Sequence, residues 1–208
     1  MKTEKPNSKS IREPSQVRSI EKKDRIVQAA FNLFDRKSFQ DVSIRDIARE
    51  AGVSIGTIYA YFQDKKDIFV AVQDLYRDEM YQRLFKVIQE ELAATDKLED
   101  GIYAVIMALR DFFQEHKMLH REAFILTLMD ERLRLDHIAR ERANGRAVVD
   151  LFYQKFSKSI AKPKSDLLSF VVHRVARDMV HYLFLYPEDV GEKKVFREIA
   201  AMLTGYLK

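Results

Sequence analysis

Proline occurs only four times in the 208 residues, at positions 6, 14, 163 and 187, so nothing between 15 and 162 is proline-broken. A proline inside a helix removes a backbone donor and clashes with the turn before it, so so long a tract without one leaves helices free to form. The six glycines are equally sparse, and no Asn-Gly or Asp-Gly hairpin lies between alternating apolar runs. Apolar residues instead recur at helical spacing throughout. These features predict an all-α fold of about nine helices, in one or two compact domains with a real core.

The chain has no cysteine, which excludes disulfides, Cys-ligated zinc, thiol nucleophiles and thiol redox sensing together. No N-terminal run of signal-peptide type and no apolar stretch of membrane-spanning length is present, so a cytoplasmic, nucleoid-associated protein is expected, with no membrane partner. The net charge of +4 is unevenly placed: residues 1–70 hold 14 Lys/Arg against 10 Asp/Glu, and residues 71–208 hold 22 of each. All the positive excess lies in the N-terminal third, as a polyanion partner predicts.

That third contains residues 41–66, DVSIRDIAREAGVSIGTIYAYFQDKK. Ser43 is placed to cap a helix, with Asp46 three residues on to complete a capping box. Ile44, Ile47, Ala48 and Ala51 then form one buried stripe. Gly52 follows, where a positive φ ends a helix cheaply. Val53 plugs the turn, and Ser54 caps a second short helix over about 54–60, with Ile58 and Phe62 facing the core. Its other face carries Ser54, Ile55, Gly56, Thr57, Tyr59, Ala60 and Tyr61. Helix-turn-helix units that enter the DNA major groove are built in this way.

The remaining elements follow from caps and spacing. Residues 1–18 are polar and read as a mobile arm, in which Lys2, Lys5, Lys9 and Arg12 can reach phosphates. A helix over about 19–37 carries Ile26, Ala30, Leu33 and Phe34, and the DNA-binding domain spans 19–66. Asp64 caps a long fourth helix reaching about Ala93, roughly 45 Å at about 1.5 Å per residue. It leads into a second domain over 67–208. Further helices are predicted around 102–113, 118–134, 137–160 and 164–186, and a last one opens at Pro187 with Glu188 and Asp189 in its first turn.

The order of these parts resembles the TetR family of bacterial one-component regulators. The matching residues are Ile26, Ala29, Ala30, Leu33, Phe34, Ser43-Ile44, Asp46-Ile47-Ala48, Ala51 to Ser54, Gly56 to Tyr59, Tyr61-Phe62, Lys65 and Ile68. The match is dense over about 22–70; beyond it only helicity and length agree. The resemblance implies a homodimer that joins through its last two helices, about 164–207, and sets two recognition helices in successive major grooves of a palindromic double-stranded DNA operator. It implies a C-terminal domain for ligand binding and dimerisation, with a small-molecule effector whose binding shifts the fourth helix. With half-sites about 34–36 Å apart, a shift of a few ångströms spoils the fit. It further places Arg45, Ile55, Gly56, Ala60 and Tyr61 at or near base edges, and Ser43, Thr57, Tyr59 and Lys65 at phosphates. Arg45 alone has the fork that can bond guanine O6 and N7 together. The structural readings stand beside these: Ser43 as a cap only, Arg45 as a solvated residue, Tyr61 as packing on the first helix. Ser38 replaces a glycine common in the family after the first helix; a serine forced to positive φ there costs about 1–2 kcal/mol.

In the C-terminal part, Met107, Phe112, Phe113, Phe124, Leu128, Met129, Phe152, Phe156 and Phe170 are candidates for an apolar ligand cavity, or ordinary core. His173, Arg177 and His181 form a polar stripe that can anchor a carboxylate, although a dimer-surface or solvated stripe is the preferred reading. His116 and His120 stand four apart without a third ligand and read as surface residues, so no metal and no cofactor are expected. Nothing joins a nucleophile to a base, so no enzyme is expected. The leading reading is a ligand-responsive repressor with a hydrophobic or aromatic effector. The alternative is a structural DNA-binding dimer that organises chromosome regions through a protein partner. A cavity of several hundred cubic ångströms favours the first, and a closed core with an exposed apolar patch the second.

Overall fold

A computed structural model describes residues 13–187, 189 and 191–208. Among them all regular structure is helical, in nine helices. The chain divides into two compact units with the boundary after Val72.

The first unit contains α1 (Glu13–Phe34), α2 (Ile44–Ala51), α3 (Ile55–Tyr59) and the opening turns of α4 (Lys65–Ala94). α1 starts six residues before the Ser19 expected for it. Pro14 sits in its first turn, where the missing N–H has no helical partner to lose. The basic positions Lys2, Lys5, Lys9 and Arg12 lie outside the described residues. Ile26, Phe34, Ile47, Ile58, Ile68 and Phe69 are completely buried and make the core. The Phe34, Phe39 and Phe69 rings meet with centroids 5.0–5.7 Å apart, a geometry that adds to their area burial. Ser38 carries no strain, since no non-glycine residue described has positive φ. Its hydroxyl donates to Asp41 Oδ2 at 2.6 Å and accepts from Asp41 N, so the turn closes through side-chain bonds instead of a left-handed residue.

The second unit comprises the rest of α4 with α5 (Leu98–Glu115), α6 (Lys117–Met129), α7 (Glu131–Lys155), α8 (Asp166–Leu185) and α9 (Glu192–Leu207). α5 is central and packs on α8 and α9, while α7 packs on α6 and α8. Ile106, Phe113, Leu119 and Phe196 are fully buried among them. The last helix starts later than its proline suggests. Gly191, at φ 74°, is its N-cap, so Asp189 precedes the helix instead of facing its positive end. Glu188 lies outside the described residues. No described helix is long and apolar enough to cross a membrane.

Candidate DNA interface and ligand cavity

Each turn of the helix-turn-helix is fixed by a short side chain. Ser43 Oγ accepts from Asp46 N at 3.2 Å, and Asp46 Oδ2 accepts from Ser43 N at 3.0 Å, closing the capping box. The Ser43 hydroxyl, and then the Ser43 N–H, donate to the Asp46 carboxyl and hold it below its ordinary pKa. Gly52 ends α2 at φ 63°, a left-handed conformation with no added steric cost for glycine. Ser54 Oγ accepts from Thr57 N at 3.1 Å and lies 2.9 Å from Thr57 Oγ1. α3 therefore starts at Ile55, and only Ile58 of its five residues is buried. Asp64 Oδ1 accepts from Asp67 N, and Asp67 Oδ2 from Gln63 N, which opens α4.

What these caps leave outside is a small, smooth surface. Arg45, Ile55, Gly56, Tyr59 and Ala60 are exposed, Tyr59 at 56% and Ile55 at 39%. Other candidate groups are already engaged. The Ser43 hydroxyl donates to Asp46 Oδ2. The Tyr61 hydroxyl lies 3.1 Å from Ser19 Oγ, tying it to α1. Lys65 Nζ donates to the Phe39 and Val42 carbonyls at 2.7 and 2.8 Å and stands 4.4 Å from the Phe39 ring centre. Burial lowers its pKa, and Asp41 partly offsets this. The ammonium thus clamps the loop between α1 and α2.

The second unit holds a cavity of about 330 Å³ lined from α4, α5, α6, α7 and α8. Gln73, Tyr76, Arg77 and Met80 line it from α4, and Arg174, Arg177, Asp178 and His181 from α8, each set spaced i, i+3, i+4, i+7. Of the residues anticipated from sequence, Phe113, Phe124, Leu128 and Arg177 line this cavity. Phe152, His173 and Arg177 line a smaller apolar one of about 60 Å³, and Phe170 and His173 a third beside Gly145. Met107, Phe112 and Phe156 line none of the three. Phe112 packs tilted against Tyr76 and Phe156 stacks on Phe152, as supports for lining residues.

Two expectations about histidines are overturned. His173, Arg177 and His181 do not form a solvated or dimer stripe, because α8 turns them inward. Arg177 Nε stands 2.9 Å and His173 Nε2 3.3 Å from Glu141 Oε2, and Tyr81 donates to Glu141 Oε1. Burial alone would raise the Glu141 pKa, but Arg177 and the His173 bond outweigh it and hold it at about 2. Burial, and then the Glu141 charge, push the Tyr81 hydroxyl well above its ordinary value. His120 is not a surface residue either. It is 4% exposed, stacked on Phe113, with Nδ1 2.8 Å from the Tyr76 hydroxyl and Nε2 2.9 Å from His181 Nδ1. Burial, with the neighbouring positive charge of Arg177, lowers the pKa of His120 strongly and those of His137 and His181 to about 4. His137, Glu141, Arg77 and Tyr76 were not anticipated. They sit among charged or mixed positions of long helices, and only the fold reveals that one stripe faces in.

A capped helix-turn-helix with an exposed, nearly uncharged second helix defines a class of helical regulatory proteins. The profile described as "Bacterial regulatory proteins, tetR family" matches residues 26–72, the segment that holds the helix-turn-helix. It is 24% identical over 172 residues to the HTH-type transcriptional repressor KstR2 of Mycolicibacterium smegmatis, covering 79% of this chain and 78% of that one. It is 32% identical over 113 residues to the uncharacterised HTH-type transcriptional regulator YerO of Bacillus subtilis, covering 54% of this chain and 37% of the relative. It spans 50% and 32% of two Staphylococcus aureus HTH-type transcriptional regulators, so it covers half the length or less of several curated relatives. Among solved structures, a putative TetR-family regulator from Mesorhizobium loti superposes with TM-score 0.69 at 19% identity, over 91% of this chain and 96% of that one. The fatty acid degradation regulator FadR from Bacillus halodurans does so at TM-score 0.62 and 19% identity, over 90% and 96%. At these identities the structures establish a shared fold.

Proposed function

We propose that the chain is a ligand-responsive transcriptional repressor, a homodimer that binds a palindromic operator and is released by a small hydrophobic or aromatic effector. The observation that carries the first half is the exposed set Arg45, Ile55, Gly56, Tyr59 and Ala60 on a module whose core residues Ile26, Phe34, Ile47, Ile58, Ile68 and Phe69 are completely buried. Arg45 is the long polar side chain available to base edges, and Ile55 and Ala60 offer apolar contact to thymine methyls. Ser43, Ser54, Thr57, Tyr59 and the remaining N–H of Lys65 lie along the phosphate backbone, where contacts set register without reading sequence. Tyr61 lies beside this set, held by Ser19.

The cavity of about 330 Å³ supports the second half, since it falls in the range of small-molecule sites. Its α4 wall belongs to the helix that begins at Lys65, so a ligand that displaces α4 acts on the helix adjoining the DNA module. Met179 and Tyr182 of α8, Tyr186 at its C-cap, and Met202 and Tyr206 of α9 are exposed apolar or aromatic residues that supply a dimer face. The test is genomic footprinting of the purified protein followed by a compound screen for release from the recovered DNA. Palindromic footprints lost on adding one compound class are expected. Footprints without sequence preference would instead favour a chromosome-organising dimer.

A further inference from the structure

The cavity carries unmet hydrogen-bond donors. Arg77 is buried, with 9% of its side chain exposed, and donates through Nη2 to Asp74 Oδ1 at 2.9 Å, while its Nε has no partner. His181 Nε2 is likewise buried without a partner. Buried polar atoms in folded proteins are nearly always satisfied, so two such atoms on side chains that line one cavity mark where a ligand supplies acceptors once those side chains turn toward it.

In one of its two proton arrangements the histidine chain makes the second atom a donor. Each neutral imidazole has one donor and one acceptor nitrogen. When the Tyr76 hydroxyl donates to His120 Nδ1, His120 Nε2–H donates to His181 Nδ1, and His181 Nε2 is left bearing a proton. Arg77 Nε–H is a donor in every state.

The charge of the lining points the same way. It carries four arginines (77, 134, 174 and 177) against three carboxylates (Asp136, Glu141 and Asp178). Of the three acids, Glu141 is already met by Arg177, His173 and Tyr81, so it has nothing left to offer a cationic ligand. Phe113, Phe124, Leu128 and Leu133 supply apolar lining, and Gln73 and Thr127 are among the uncharged polar members of the wall. Two lining residues, Leu128 and Ile138, are also 58% and 42% exposed, which gives the mouth an apolar lip.

We propose that this cavity receives a compact hydrophobic carboxylic acid, its carboxylate bonded by Arg77 Nε–H and His181 Nε2–H and its apolar body against Phe113 and Phe124. Met80 and Arg177 line both this cavity and the smaller apolar one, so a short apolar extension of the ligand can pass beside the unbranched Met80 side chain. The inference rests on the ligand-responsive reading above and specifies its effector class.

The test is calorimetric titration of the full chain with phenylacetate, 3-phenylpropanoate, 4-phenylbutanoate and octanoate, each against its primary amide. At least one acid binds about ten- to a hundredfold tighter than its amide, the span expected of charge-assisted bonds. Arg77→Gln abolishes that preference, bringing acid and amide to within about threefold of each other, and His181→Phe weakens the acid about two- to tenfold. Arg77→Lys, which keeps the charge but lacks the Nε–H, serves if the glutamine variant does not fold, and it too lowers the acid preference. Equal binding of acid and amide, a preference that survives Arg77→Gln or Arg77→Lys, or no binding by any acid at millimolar concentration overturns the proposal. The operator footprint is read in parallel. An acid that binds through Arg77 without releasing DNA leaves the acid site standing and removes the release reading. Release by a neutral compound that ignores Arg77 does the reverse.

Discussion

Lys65 and Tyr59 separate two ways in which a residue serves a DNA-binding surface. Lys65 spends two of its three N–H groups on the Phe39 and Val42 carbonyls, whereas Tyr59 is 56% exposed with Ile58 buried beside it. Lys65→Ala is therefore expected to lose about 1–3 kcal/mol in urea denaturation, the cost of removing bonds to a charged group. It should also lower the salt slope of operator binding by about one unit. Tyr59→Ala should leave stability within about 0.5 kcal/mol and weaken binding to all sequences alike. A Lys65→Ala variant as stable as the parent would show that the clamp is not needed. Arg45→Ala should relax specificity at one base step without altering stability, because Arg45 is exposed and no bond to it is described. A site selection returning the parental operator would remove Arg45 from the base-reading set.

At the scale of elements, α7 and α8 meet where a glycine admits a ring. A Cβ on Gly145 would lie 2.5–2.6 Å from two ring carbons of His173, closer than atoms approach, and an imidazole has no flexible end to yield. Gly145→Ala gains about 0.8–1.0 kcal/mol of helix propensity, so a helix-propensity argument predicts stabilisation. The expected outcome is the opposite: a lower midpoint in thermal unfolding, with the Glu141 carboxylate losing its His173 neighbour. Partial rescue by His173→Ala in the Gly145→Ala background would identify the clash as the cause. The helix-turn-helix was legible because every one of its turns is written locally: Ser43 with Asp46, Gly52, and Ser54 with Thr57 all act within four residues. The cavity was not, because α4 and α8 are charged on more than one face. Which stripe faces inward depends on α6 and α7, which lie some 40–70 positions away along the chain. Nothing near Gly145 in the sequence points to its role either, its partner His173 being 28 residues further on. The start of α9 was misplaced because Pro187 suits a first turn, yet Gly191 supplies the N-cap.

For the whole molecule the buried histidines set a direction for pH dependence. His137 and His181 have pKa values near 4 in the folded chain against an ordinary value of 6.5, and His120 lies well below that value. The unfolded chain thus binds more protons than the folded one as pH falls below about 6.5, and linkage makes stability decline from there through about pH 4. Glu141, held at about 2 against an ordinary 4.5, contributes stability above 4.5 that is lost as pH falls toward 2, in the same sense. The groups facing the histidines strengthen the trend, because Arg77, Arg174 and Arg177 disfavour additional positive charge and Glu141, with Asp136 and Asp178 in the same lining, only partly offsets them. Stability should therefore fall steadily between pH 7 and pH 4.5, earlier than carboxylate titration alone would produce. Thermal unfolding at pH 7.5, 6.5, 5.5 and 4.5 reads this directly, and His181→Gln should flatten the upper part of the decline by removing one of the groups that must charge on unfolding. A midpoint unchanged between pH 7 and 5, with loss confined below 4.5, would assign acid sensitivity to carboxylates and leave the histidine chain without a role in it. The same linkage bears on ligand binding. An acid bound through Arg77 and His181 supplies the negative charge that protonated histidines call for, so its presence at saturating concentration should move the onset of the decline to lower pH, whereas the amide should not.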